Sequence, residues 1–293
     1  MPVRQKVMVS LTAHESELVL IDQCLNYLRV GGVDGVVIHI NANSAFNTAL
    51  FIQYCTLMGA WFADRLYLNP YSVPIQIHSR DQRVVTSLHR AHIANFQYLS
   101  SCGLDFDYFA LDASNSLLIR PGLNPYILDQ QRNLLAQEDI SDHWFWRPVV
   151  SSDANLSKEM THIKISAHEG TCYLKETFRK ILQSVMTYEL TEQTSQLLGH
   201  PRLEYPREEV LFPTYFYKYF RNEPTGLNYI DLPWVRNLVW QIDEVKKHMA
   251  ENFENFGPKF GIKRVAREIN DPLRAFIGTV YGYRNEIVNM LRS

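Results

Sequence analysis

Glu208 and Glu209 are adjacent acids in Pro206-Arg-Glu-Glu-Val-Leu-Phe-Pro213. A charge on one raises the pKa of the other, which prepares a carboxylate to take a proton near neutral pH. The same pair suits the first turn of a helix, where a preceding proline and acidic side chains both match the N-terminus. On the residues alone both readings stand. Arg236 and Lys259, followed by Lys263, Arg264 and Arg267, are cations of the kind that neutralise a departing diphosphate without a metal. The plain alternative for them is a mixed-charge surface. Arg80 and Arg83 form a second cationic pair, which periodicity places near the start of a helix beside a polar strand-end loop. That position suits an anionic ligand such as a nucleotide diphosphate.

Metal-ligating patterns are weaker. Asp105-Phe-Asp107 has the Asp-x-Asp spacing that holds a divalent ion in many nucleotide-sugar enzymes, but it precedes a strand, and the strand's exit carries only Asp112. No metal is therefore expected. His89 and His92 are three apart on one expected helix, which fits a ligand pair or two structurally satisfied histidines. Cys24, Cys55, Cys102 and Cys172 show no paired spacing, so reduced thiols are expected. There is no Gly-rich phosphate loop and no serine elbow. Trp144 and Trp146 fit either a platform for a sugar ring or a core aromatic cluster.

Positioning such groups needs a sheet with helices on it. Val7 to Leu11 and Val36 to Ile40 read as buried strands, each leaving into small polar residues, and Arg65 to Leu68 as a third. Helices are expected over Glu17 to Val30, Phe46 to Phe62 and the face Leu88, Ala91, Ala94 and Leu99. Tyr108 to Leu111 is a fourth strand, which completes a βαβα half of the doubly wound kind, and such sheets bind ligands outside their strand carboxyl ends. Beyond Pro148 the spacing predicts a strand over His162 to Ser166, helices from Glu169-Gly-Thr-Cys-Tyr173 to about Tyr188 and from near Glu208, and another over Ile242 to Phe253. Residues 1–125 form the expected nucleotide-binding half of one domain, and 126–293 its acceptor-binding and catalytic half.

The 293 residues allow a sizeable core, and a net charge of -2 gives no polyanion-binding surface, so nucleic acid is not an expected partner. No run approaches the roughly 20 apolar residues of a membrane span. A soluble, cytoplasmic protein or a domain cut from a longer anchored one is expected, with peripheral membrane association left open.

Several blocks resemble, in order, the core-2/I-branching β-1,6-N-acetylglucosaminyltransferases and peptide xylosyltransferases of glycosyltransferase family 14. They are Ala13-His14, Ile38-His-Ile-Asn41, Ser79-Arg80 with Val84-Val85, the strand and loop Phe106 to Asn115, Gly170-Thr-Cys-Tyr173, Glu208-Glu-Val-Leu-Phe-Pro-Thr214 and Phe256-Gly-Pro-Lys-Phe260. The resemblance implies an α/β, GT-A-like fold: a Rossmann-type nucleotide-binding half with a mixed central sheet flanked by helices, and a smaller C-terminal part for acceptor and diphosphate. It implies an inverting, metal-independent transfer from a nucleotide sugar, with a uridine diphosphate (UDP) sugar as donor and a glycan hydroxyl as acceptor. The family's base falls on Glu209 and its diphosphate cations on Arg236 and Lys259. Ala13, His14, Asn41, Arg80 and Asp112 would line the nucleotide site, and Trp144, Trp146, Gly170 and Thr171 the acceptor side. No anchor or stem is expected from these 293 residues, the family's paired cysteines are not matched, and Asp112 and Asn115 stand where many members carry Ser and Asp. Two rival expectations are a metal-dependent transferase of another family using Asp105, Asp107 or Asp112, and a non-catalytic glycan- or nucleotide-binding protein.

Overall fold

The computed structural model describes residues 4–13, 16–73, 75, 77–80, 83–86, 88–129, 138–142, 146–159, 162–200, 203, 205–223, 227–231, 240–250 and 259–292; for 77–80, 83–86, 138, 158–159 and 227 it describes the backbone alone. In chain order the first half contains β1 (Val7–Ala13), α1 (Glu17–Leu25), β2 (Gly35–Ile40), α2 (Thr48–Leu57), α3 (Ala60–Ala63), β3 (Leu66–Leu68), β4 (Ile77–Arg80), β5 (Arg83–Thr86), α4 (Leu88–Ser101), β6 (Tyr108–Ala113), β7 (Ser116–Leu118) and α5 (Leu123–Leu128). The second half contains β8 (Glu138–Asp139), α6 (Arg147–Val150), α7 (Ala154–Glu159), β9 (Lys164–Ile165), β10 (Thr171–Leu174), α8 (Lys175–Leu197), α9 (Arg207–Phe220), β11 (Leu227–Asn228), β12 (Ile230–Asp231), α10 (Ile242–Ala250), β13 (Gly261–Lys263), α11 (Pro272–Val280) and α12 (Arg284–Met290).

The main sheet runs β11-β10-β6-β1-β2-β3. Strands β6, β1, β2 and β3 are parallel, whereas β10 is antiparallel to β6 and to β11, so the sheet is mixed. β1 is buried along its whole length because helices cover both faces, which is why its sequence is nearly all apolar. Val7, Val9 and Leu11 face α1, α2, α11 and α12, while Met8 joins Phe109 and Leu111 against α4, α8 and α9. After β1 the chain adds β2 and β3 on one side and returns to place β6 on the other. The carboxyl ends of β1 and β6 thus flank a topological switch point, where open α/β sheets receive ligands. A second sheet, β12-β13-β7, continues from the end of β6 and brings Lys263 opposite Ser116.

Three expectations are corrected. Arg80 and Arg83 lie on an antiparallel hairpin, paired with each other, and not at the start of the helix, which begins at Leu88. The β-branched Ile77, Val84, Val85 and Thr86 favour extended backbone there. Thr171 to Leu174 do not begin a helix; they form a strand on β6, with Cys172 opposite Ala110, and the helix starts at Lys175. The segment 46–62 divides into α2 and α3 at Gly59, whose φ of +83° ends the first helical run.

Candidate active site

The turn 166–171 joins the edge of the sheet to α9. Ser166 N–H donates to the Glu209 carbonyl at 2.9 Å, and the Thr171 hydroxyl donates to the His168 carbonyl at 2.7 Å. Gly170 N–H donates to the Leu111 carbonyl at 2.8 Å. Gly170 adopts φ +79°, and a Cβ there would lie 2.5 Å from Ile230 N, so the residue must be glycine for β11 and β12 to pass this close. The turn fixes His168 and Glu169, each 3% exposed, against Glu209, which lies in the first turn of α9 and remains partly exposed. Ligand atoms of these three side chains all lie within 4.8 Å of one another.

Around them is a buried polar chamber. Lys263 forms an ion pair with Glu169 Oε1. Asp112, fully buried at the end of β6, accepts from Ala113 N–H at 2.7 Å and the Ser116 hydroxyl at 2.5 Å. Ser10, facing α4 from β1, pairs with His92 Nδ1 at 2.8 Å and accepts from Asn95 at 2.9 Å. The His92 ring lies 5.5 Å from that of His168.

Burial governs the protonation of this chamber. Burial, followed by the neighbouring Glu208, pushes the Glu209 carboxyl up to about 8. Burial, with Lys263 and His92 adding to it, holds His168 well below the usual histidine range, and His92 is lowered to about 3. Asp112 is raised and Lys263 lowered by the same desolvation, each opposed by the charge of the other. Two neutral imidazoles, a base-strength carboxyl and a lysine beside a carboxylate make a chamber able to accept, hold and release a proton.

Of the residues expected at the site, Glu209, Asp112, Gly170 and Thr171 come together here. Gly170 and Thr171 serve it through backbone geometry, since the Thr171 hydroxyl is spent on the turn. Ala13 ends β1 at the switch point, with its carbonyl accepting from Asn41 N–H at 3.0 Å. Asn41 uses its side-chain oxygen on the N–H groups of Asn43 and Ile75, both at 3.3 Å, and so organises the loop after β2. Lys259 is half-buried and donates to the Asn228 carbonyl at 2.7 Å, on the strand paired with Thr171. The expected acceptor platform at Trp146 is corrected: it is 6% exposed and packs in the core beneath α6, leaving no open ring face for a sugar. His14, Trp144 and Arg236 lie outside the described residues, as does the side chain of Arg80.

Asp105 and Asp107 sit at the opposite edge of the sheet, before β6, where Asp107 accepts from Lys6 N–H at 2.8 Å. His89 and His92 part company: His89 Nε2 meets Glu189 at 3.2 Å, while His92 turns to Ser10. Sequence reasoning missed His168, Glu169 and the inward role of Lys263. The one available signal was a His-Glu-Gly run just before a strand, since a glycine needed for close approach fixes the side chains preceding it.

No family model matches the chain, and no curated protein matches it. Among solved structures, an active-site mutant of LgtC aligns with 94% of this chain and 95% of its own at 9% identity and a TM-score of 0.47. The galactosyltransferase LgtC in complex with donor and acceptor sugar analogs aligns with 95% of this chain and 99% of its own, also at 9% identity and a TM-score of 0.47. Likeness of that size establishes neither a shared activity nor shared site residues, and the mixed, helix-flanked α/β architecture rests on the sheet order itself.

Proposed function

We propose that the protein is an inverting glycosyltransferase that uses a nucleotide diphosphate sugar, with UDP as the nucleotide and a glycan hydroxyl as acceptor, and that transfer needs no metal. The observation that carries this reading is the placement of Glu209. It is a partly exposed carboxyl with raised pKa, beside Glu169 and Lys263 at the carboxyl edge of the parallel strands. The ordered resemblance to family 14 transferases supports the same roles.

In the proposed reaction Glu209 takes the proton of the acceptor hydroxyl while that oxygen forms its bond to the anomeric carbon. The bond from that carbon to the diphosphate oxygen breaks on the opposite face, and its electron pair leaves with the diphosphate. Lys259 has ammonium protons beyond the one given to Asn228, and with Arg236 it would meet the growing negative charge; preorganised cations contribute several kcal/mol at this point. Lys263 holds Glu169 in the turn beside Glu209. The test is transfer from a panel of nucleotide sugars in the presence of a chelator. Product formed under chelation supports the reading; product formed only after a divalent ion is restored contradicts metal independence.

A further inference from the structure

We infer that His168, Glu169 and Glu209 form a binding site for one divalent transition-metal ion of the zinc class, and that an ion bound there silences the site. Three observations carry this. Their ligand atoms already lie within 4.8 Å of one another, and donors at about 2.0–2.2 Å from a shared ion require only side-chain rotation of roughly an ångström. Neither ring nitrogen of His168 has a hydrogen-bond partner among the described residues, although the side chain is buried; Nε2 stands 3.4 Å from Glu169 Oε1 without bonding to it. Glu169 Oε2 is likewise without a partner, because Lys263 engages Oε1. Buried polar atoms are normally satisfied, and unpartnered atoms on His168 and Glu169, two of the three clustered side chains, call for a ligand.

The chemistry of the donors selects the ion. One neutral imidazole and two carboxylates suit zinc and its neighbours, with water completing a fourth position, whereas calcium and magnesium require more oxygens than converge here. His168 is held neutral, as a metal ligand must be. Partial exposure of Glu209 provides the entry path. Lys263 is engaged with Glu169 Oε1, which leaves Oε2 for the ion.

An ion in this position occupies the carboxylate assigned to proton transfer, so it would compete with the reaction and take no part in it. That consequence rests on the transferase reading; the binding site itself does not. The experiment is calorimetric titration of zinc chloride into the full chain with no sugar present. The expected result is one ion per chain, weakened about tenfold or more in His168→Ala and in Glu209→Gln. Glu209 is partly exposed, so its variant remains informative if His168→Ala fails to fold. Cobalt(II) should give the intense visible absorption of a low-coordinate nitrogen and oxygen site in the unaltered chain. No saturable binding, a stoichiometry other than one, or unchanged affinity in folded His168→Ala would overturn the inference. A chain that binds zinc but transfers no sugar upholds the ion site and defeats the transferase reading; transfer without zinc binding does the reverse.

Discussion

Glu209 is stabilised as a neutral acid by the folded protein and is ionised in the unfolded chain over the same pH range. Its folded pKa is raised from 4.5 to about 8, so the unfolded state loses its proton first and stability falls as pH rises through that window. Glu209→Gln removes the penalty. After allowance for its partial exposure, the gain at pH 8 is roughly 2–3 kcal/mol, and it vanishes near pH 4. Thermal melts of both chains at the two pH values check this; equal shifts at both would contradict it. His39 behaves in the opposite sense. It is buried as a neutral ring whose Nε2 accepts from Val73 N–H at 2.8 Å, and burial lowers its pKa from 6.5 to about 4. Between those values the unfolded chain binds the extra proton, so stability is full above pH 6.5 and declines as pH falls. His39→Gln should reduce the slope of unfolding free energy over pH 4–6.5 by up to about 1.4 kcal/mol per pH unit. Denaturant titrations across that range read it directly. The acid at 209 was legible in the sequence because its neighbour and its helix position announce it. His168 and Glu169 were not, since the strand that fixes them is specified by pairing with β6 and not by local pattern.

The elements that hold the site are α9 and the turn before β10. Arg207 is 2% exposed in the first turn of α9, and it ties that helix to α8 through Glu192 and through Glu189 at 2.7 Å. Removing one member of a buried ionic group leaves its partners uncompensated, so Arg207→Ala should cost about 3–5 kcal/mol, measured by denaturant unfolding. A loss below 1 kcal/mol would mean that water replaces the guanidinium. At Gly170 an alanine meets both an unfavourable φ of +79° and the backbone of Ile230 at 2.5 Å. Gly170→Ala should cost at least about 1–3 kcal/mol and lower transfer more than it lowers donor affinity, because the turn carries Glu169. The parallel strands and α1 could be read from the sequence because their apolar periods are strong. Local pattern does not place Arg80 and Arg83, because the short β-branched run Val84 to Thr86 directly beside a helix does not declare which state wins, and Thr171 to Leu174 are strand because β6 offers them a partner.

Across the whole molecule, the C-terminal helices are locked to the first one by Arg274, which has no solvent exposure. It donates to Asp22 at 2.9 Å, to the Ala266 carbonyl at 2.8 Å and to the Ser114 carbonyl at 3.3 Å, spanning α11, α1 and the exit of β6. No local pattern marks such a residue, because Asp22 and Ser114 are distant from it in sequence. The same long-range closure brings Lys263 from the end of the chain to Glu169 and gives the chamber its charge. The central claim of the proposed function is that Glu209 is the proton acceptor of a sugar transfer. The direct measurement is a comparison of the parent chain with Glu209→Gln, reading donor affinity by calorimetry and product formation by mass under chelation. The account predicts unchanged donor affinity with transfer reduced about 10²–10⁴-fold. Turnover by the variant equal to that of the parent would contradict it.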